Sequence, residues 1–385
     1  MEEKLKQTVQ HGFKGDRILL IIALLLSAIS VLMVYSTEGH GVLKHLLLIA
    51  ISYGGLILFY KIDYKIWGKF APLGLLFAVI LLILTFMSSA VRGLVILGIS
   101  FQTFYVIGVL VVLFLASTIA KIKLDDRLPT RNETFFLFGV LLAFCVGIAA
   151  LNMSTAIILF ITGIVVCFVG GIRFKYIAGL LGLALIVIGI LSGVVIHKMN
   201  QGNLSGIGRM DTFVKRMEYY ITKDNSEHYG DQMVLSRAAI ARSGLKPAGP
   251  GKGVIKYRLP ENSTDYAFAS IVEETGIYLG LPIIFLYLAF FYRAREIAKN
   301  SHGTFGALFA FGIGFLLCCQ AFVHIGVNCD LLPSTGQTLP FISTGGASLV
   351  VSASATGILL NISKQNAEDI KPTKRQTRFI GREED

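Results

Sequence analysis

Carboxylates set at the edge of apolar sequence are the groups in this chain best suited to chemistry. The stretch from Leu259 to Gly280, LPENSTDYAFASIVEETGIYLG, opens on Pro260 and a polar cluster of Glu261, Asn262, Ser263 and Thr264. Asp265 follows, and from there the sequence runs apolar to about Tyr292, interrupted by Glu273 and Glu274. As one helix, the run puts Glu273 about 12 Å along the axis from Asp265. The cluster then serves as an N-cap, with acidic groups at the positive end of the helix dipole. If that helix crosses a bilayer it carries both glutamates inside, where a carboxylate points to function by default. At a boundary between water and lipid, burial raises a carboxylate's pKa toward working pH and fits it for general-base work. Glu273 lies about 80° round the helix from Asp265 and Glu274 on the opposite side, so Glu273 is expected to share the cavity of Asp265. A buried hydrogen bond to a neighbouring helix is the structural alternative for Glu273.

The second set of groups is cationic. Between about His197 and Asp265 lies a polar stretch with eleven Lys and Arg against seven Asp and Glu, a surplus of four. An anionic partner would explain it, and phosphate is the anion that arginine suits best. Solvation of a long loop, or contact with lipid headgroups, explains it equally well. Arg209, Arg216, Arg242, Lys246 and Lys252 are the candidate anion ligands. The first two belong to RMDTFVKRMEYYITK (209–223), where Met210, Phe213, Val214 and Met217 can share one face of an interfacial amphipathic helix. Lys246 and Lys252 sit in GLKPAGPGKGV (244–254), whose glycines suit either backbone contacts to phosphate or a hinge. No G-K-[ST] follows, so this is not a P-loop.

A membrane bundle must position these groups. Of 385 residues, 54% are hydrophobic and 15% charged, where a soluble domain is about one-quarter charged. Mean hydropathy is +0.69. Cys145, Cys167, Cys318, Cys319 and Cys329 are odd in number and mostly inside apolar runs, which suggests neither a disulfide framework nor a zinc site. Runs of about twenty apolar residues, each enough to span a bilayer, fall near 17–36, 42–60, 67–87, 99–120, 133–150, 154–170, 174–196, 266–292, 304–327 and 341–362. Lysines and arginines gather in every short even-numbered connection and in both tails, which puts both termini in the cytoplasm. The expected fold is an all-α polytopic membrane protein of ten transmembrane helices. One long extracytoplasmic loop (197–265) joins the seventh and eighth. A cytoplasmic tail covers 1–16, the membrane domain 17–362, and a basic cytoplasmic tail 363–385. His45 is expected to be hydrogen-bonded packing, and Asn152 with Ser154 and Thr155 the cap of the sixth span.

The last outer connection, 328–348, carries Pro333, Gly336 and Pro340, which forbid a continuous helix. Its apolar residues suggest a segment that dips back into the protein, and irregular backbone is tolerated at that depth only when buried or lining a polar cavity. Pro340, Ser343, Gly345 and Gly346 mark its return into the tenth span. Small residues there serve close helix packing or a half-helix end aimed at an anion.

LPENSTDYAFASIVEETG followed by LLPSTGQTLPFISTGGAS resembles the paired signatures of the SEDS family (FtsW, RodA, SpoVE). The resemblance extends to GISFQ at 98–102, NMSTA at 152–156, YGDQ with Ser236, and SGL with GPGKG at 243–253, and so covers essentially the whole chain. It implies a ten-span peptidoglycan glycosyltransferase of the cytoplasmic (inner) membrane that polymerises lipid II onto a nascent glycan strand at the outer face. Implied partners are a class B penicillin-binding protein and other membrane proteins of the division complex, and no nucleic acid. The family's essential Asp, the one after Thr, maps onto Asp265. Overall likeness leans to the division type. Departures from the family pattern are Ser263 in place of a His, Asn152-Met-Ser-Thr in place of Asp-Leu-Gly-Thr, and Thr103-Phe104-Tyr105 in place of Pro-Ser-Glu. A Trp before the fourth span is also missing, since the only Trp is Trp67.

Lipid II carries an α-linked sugar on pyrophosphate and the glycan is β-1,4-linked, so one inversion suffices. The reaction needs a base for the acceptor 4-hydroxyl and a holder for the charge developing on pyrophosphate, with no obligatory acid. Asp265 is the expected base. Glu261, one turn away if the helix extends back, and Glu273 are expected to support it by tuning or by helping to bind a divalent cation, Mg²⁺ or Mn²⁺. The loop cations are expected to hold pyrophosphate. A flippase or secondary transporter for a lipid-linked sugar is the rival class, although transporters tend to break helices at matching positions of two repeats, and no repeat is detected here. An O-antigen polymerase or ligase and a non-catalytic division scaffold are further alternatives.

Overall fold

A long apolar segment in lipid is driven to helix, because every backbone N–H and C=O is then satisfied within the segment. The computed structural model describes residues 14–38, 41–88, 94–96, 99–200, 216, 219–220 and 231–369. The helices are α1 (Arg17–Glu38), α2 (Val42–Lys61), the short α3 (Tyr64–Lys69), α4 (Ala71–Met87), α5 (Thr103–Leu124), α6 (Arg131–Ala149), α7 (Met153–Val169) and α8 (Phe174–Asn200). After these come α9 (Asp231–Ser243), α10 (Ala267–Thr275), α11 (Ile277–Lys299), α12 (Thr304–Asn328) and α13 (Gly346–Asp369). Among the described residues, seven helices are long and apolar enough to cross a membrane: α1, α2, α5, α6, α11, α12 and α13. Also apolar among the described residues are the shorter α4 (Ala71–Met87) and α7 (Met153–Val169), and the first part of α8, Phe174–Ile186. Large apolar side chains such as Leu32, Leu43, Leu73, Phe136 and Phe285 point outward and are exposed, a surface that suits lipid rather than water.

The sequence expectation needs two corrections. The fourth span was expected from residue 99, but Leu94–Ile96 (β1) and Ile99–Phe101 (β2) pair as an antiparallel hairpin, and α5 begins only at Thr103. The eighth span, expected over 266–292, is two helices. Gly276, at φ +64° and ψ −159°, adopts a conformation essentially reserved for glycine, and the chain turns there. α10 lies over one end of the bundle: its Ala269 N–H bonds Asn328 at the end of α12, and its Glu274 bonds Ser36 in the last turn of α1. Glu273 and Glu274 therefore sit in a layer over the bundle end, outside the apolar helix α11.

At the opposite end, Arg293 of α11 grips the Asp16 carboxylate through Nη2 (2.6 Å) and Nε (2.9 Å). Lys14 reaches Glu368 at 3.3 Å, and Asn361 of α13 bonds the Tyr60 carbonyl and the Tyr64 N–H. Asp16 and Asn361 thus lie at the end of the bundle away from Asp265.

α5, α7, α12 and α13 contribute much of the core, through residues such as Val112, Leu115, Leu159, Ile313, Leu316 and Leu359. Helices α2 and α13 approach closely, backbone to backbone. A Cβ on Gly357 would stand 2.3 Å from the Leu56 carbonyl oxygen and 3.0 Å from its carbon. Backbone cannot yield there as a side chain would. Gly357→Ala favours the helix by about 1 kcal/mol, yet is expected to be net destabilising, by about 1–3 kcal/mol, because the two helices must separate. A lowered unfolding midpoint in detergent checks this; an unchanged or raised midpoint refutes it.

Candidate active site

Asp265 is the last residue but one of a run of turns, 260–266, that feeds α10. Glu261 begins the run in the left-handed region, at φ +56°, where its carbonyl accepts the N–H groups of Thr264 and Tyr266, both at 3.1 Å. The Glu261 carboxylate folds back to accept the Thr264 hydroxyl at 2.6 Å. The turn, not a helix, thus brings Glu261 and Asp265 into one loop, with Asp265 half-buried and Glu261 exposed.

The polar cluster does not cap α10. The cap residue is Tyr266, with no side-chain cap bond. Two residues of α12 take over the orphan donors: Asn328 Oδ1 accepts the Ala269 N–H (2.9 Å) and His324 Nε2 the Phe268 N–H (3.4 Å). Asn328 Nδ2 also donates to the Asp265 carbonyl at 3.1 Å. His324 Nδ1 bonds the Gln337 carbonyl at 2.7 Å. Because a carbonyl only accepts, these bonds assign the neutral ring with its proton on Nδ1. Sequence reasoning missed His324 and Asn328. Their signal was two polar residues four apart in an apolar span, hence on one helix face.

The two long motifs are bonded to each other. Ser343 Oγ donates to the Thr264 carbonyl (2.7 Å), the Thr344 N–H to the Ser263 carbonyl (2.9 Å), and Thr344 Oγ1 to both the carbonyl and the hydroxyl of Ser263 (3.1 Å each). Residues 334–343 are irregular and, apart from half-buried Thr335, buried. Pro340 is held by Tyr287 through its carbonyl, and Ile342 by Ser30, whose hydroxyl also bonds His45 Nε2 at 2.7 Å. Gly345 and Gly346 lead from this segment into α13. Three departures from the family pattern meet on it: Ser263 through Thr344, Tyr105 through the Thr338 hydroxyl (2.7 Å), and Asn152 through Gln337 Nε2 (3.4 Å). Asn152 also caps α7, accepting the Thr155 N–H at 3.1 Å.

Among the candidate cations, Arg216 is tied to the re-entrant segment through the Ser334 carbonyl, at 3.4 Å. Arg242, in the last turn of α9, and Lys246 and Lys252 are exposed. The glycine-rich stretch folds over the carbonyl end of α10, where the Ala248 and Gly249 N–H groups bond the Glu273 and Glu274 carbonyls at 3.1 and 3.0 Å. That end is about 10 Å along α10 from its first residue, Ala267. Arg209 lies outside the described residues, as does most of the expected amphipathic helix at 209–223. Among the described residues, no group of three or more His, Cys, Asp or Glu is gathered to hold a metal.

Glu273 is fully buried and accepts three successive backbone N–H groups, those of Val254, Ile255 and Lys256, each at 2.8 Å. Gly253 lets the carboxylate approach, since a Cβ there would stand 3.0 Å from Oε2. Glu273→Gln would turn an NH₂ toward at least one of these donors. It is expected to lower stability by about 1–3 kcal/mol, seen as reduced abundance and unfolding midpoint. Activity lost at normal abundance and midpoint would instead assign Glu273 to the reaction.

A family model described as cell cycle protein, FtsW/RodA/SpoVE, matches residues 16–368. A relative from Geobacter sp. (strain M18), called probable peptidoglycan glycosyltransferase FtsW, is 29% identical over 90% of this chain and 96% of its own. One of the same name from Bacillus subtilis (strain 168) is 32% identical over 90% of each chain. In fold, a chain from work on structural coordination of polymerization and crosslinking by a peptidoglycan synthase complex superposes with a TM-score of 0.71 at 17% identity, covering 93% of this chain and 100% of that one.

Proposed function

Because the chain belongs to the FtsW/RodA/SpoVE family of cell cycle proteins, we propose that it is a peptidoglycan glycosyltransferase that polymerises lipid II into β-1,4-linked glycan strands for cell division. The seven long apolar helices, with α4, α7 and α8, are its ten spans in the cytoplasmic membrane. Both termini are cytoplasmic, and Asp265 faces outward, since Lys121, Lys123, Arg127, Arg131, Arg293, Arg295 and Lys299 gather at the other end.

The observation that carries this reading is the bonding of Ser263 and Thr264 to Ser343 and Thr344. It holds a half-buried carboxylate beside a buried, irregular segment, an arrangement suited to a polar substrate at the membrane surface. Asp265 takes the proton of the acceptor 4-hydroxyl as its oxygen bonds the anomeric carbon. The bond from that carbon to the phosphate oxygen breaks with inversion, and the electron pair leaves with undecaprenyl pyrophosphate. Arg216 is the described cation best tied to the segment, and it stabilises the departing charge. Mg²⁺ is commonly bound by one or two carboxylates plus substrate phosphates, and Glu261, exposed in the same turn as Asp265, is the carboxylate that would hold it. Such an ion, when bound, would neutralise pyrophosphate charge.

A class B penicillin-binding protein is the proposed partner; the solved chain that shares this fold comes from work on a peptidoglycan synthase complex. The test is glycan formation from labelled lipid II in detergent, with and without that partner. Strands that lengthen with time support the reading. Lipid II moved across vesicles with no glycan formed would favour a flippase.

A further inference from the structure

Lys256 is the one buried lysine or arginine among the described residues, with no exposed surface at all. Its ammonium has three protons and three acceptors: Glu274 Oε1, the Ser36 carbonyl at 2.7 Å and the Ser36 hydroxyl at 2.7 Å. The Ser36 hydroxyl is saturated in turn. It donates to the Glu274 carboxylate at 2.6 Å and accepts the Gly251 N–H at 3.2 Å. Three elements that are remote in sequence meet here: the end of α1, the loop before the site, and α10. Burying an ion pair costs several kcal/mol in desolvation, and well-packed apolar residues often replace one without loss of stability. Stability alone therefore does not account for a fully buried lysine. Fixing the register of a segment does, and it is the best attested use of such groups.

The register in question is that of the segment leading to Asp265. Backbone N–H groups of residues 254–256 are nested on Glu273. The Lys256 carbonyl accepts the Asn262 side chain at 2.8 Å, and the Asn262 carbonyl accepts the Ser270 hydroxyl at 2.9 Å. Beyond that, Ser263 and Thr264 are fixed to the re-entrant segment. Residues 257–262 are thus strung between two anchors, and Lys256 is the end tied to α1.

We propose that the Lys256–Glu274–Ser36 junction is a positioning device for Asp265, setting the register of residues 254–266 against α10 and the outer end of α1. This rests on the reading of Asp265 as the base, and the test separates the two. Full-length protein with its class B partner is compared with K256M, E274Q and the double variant K256M/E274L, which leaves no stranded charge and is expected to keep the parental unfolding midpoint. In the double variant, hydrogen exchange over residues 257–266 is expected to rise by about tenfold or more, with α11 and α12 unchanged. Glycan synthesis is expected to fall about 100-fold in kcat, the scale of a small misplacement of a reacting group, with KM for lipid II within about twofold. Parental exchange over 257–266, or parental kcat, in the double variant overturns the inference. No polymerisation by the parent chain counts against the functional reading instead, and exchange alone then decides this one.

Discussion

Asp265→Asn is expected to lower the initial rate of glycan synthesis from lipid II by about 10²–10⁴-fold, the usual contribution of a positioned general base. The substitution keeps the size and shape of the side chain and removes its basicity. It also leaves the scaffold in place. Three of the bonds that fix this segment end on backbone carbonyls: Ser343 on Thr264, Thr344 on Ser263, Asn328 on Asp265 itself. A lost rate at parental abundance and unfolding midpoint would thus report on chemistry rather than folding. Asp265→Glu restores basicity but moves the carboxylate outward by one methylene. It is expected to recover part of the rate, because misplacement costs less than absence. Near-parental polymerisation by purified Asp265→Asn protein would remove Asp265 from the mechanism. Equal, wild-type-like rates in Asn and Glu variants would show that the side chain is spectator to the slow step.

Composition and apolar periodicity carried the membrane class, and most helix boundaries fall within a few residues of the apolar runs. Those signals are local, so local reading suffices. The candidate site was legible only where its signals are local too. Asp265 was singled out because a carboxylate stood at an apolar edge, and the irregular segment at 334–343 because prolines forbade a helix. The roles of Glu273 and Glu274 were not. Their angular positions were read on a single helix continuing to Tyr292, and one glycine ends that helix at Thr275. Glu273 was expected to share the cavity of Asp265, and the structure spends its carboxylate on the backbone of residues 254–256. The capping cluster misled for a related reason. Glu261, Asn262, Ser263 and Thr264 have the right types for an N-cap, yet the donors they would satisfy are met by His324 and Asn328 from some sixty residues away. Lys256 was lost among eleven loop cations, because burial is a tertiary fact that composition does not carry.

That single glycine carries the second large effect. Gly276→Ala is expected to disable both fold and reaction. At φ +64° and ψ −159° an alanine is strained by about 1–3 kcal/mol. Its Cβ would also stand 2.7 Å from the Gly244 carbonyl oxygen, and that same carbonyl accepts the Ile277 N–H at 3.1 Å, capping the first amide of α11. The contact is with backbone, so relief requires either the 244–253 stretch to lift or the joint itself to straighten. Straightening would merge α10 with α11 and swing α10 off the ends of α1 and α12, carrying Asp265 away from Ser343 and Thr344. A fall in stability of about 2–4 kcal/mol is expected, together with a loss of glycan synthesis exceeding about 100-fold in whatever protein remains folded. Gly244→Ala is the control, since a Cβ there meets nothing closer than the Ala241 carbonyl oxygen at 3.9 Å. It is expected to change stability by no more than about 0.5 kcal/mol. Unfolding midpoints and initial rates measured on both variants in the same detergent check the pair. Parental behaviour of Gly276→Ala would mean that α10 holds its place across the bundle end without the break, through Asn328, His324 and Ser36 alone.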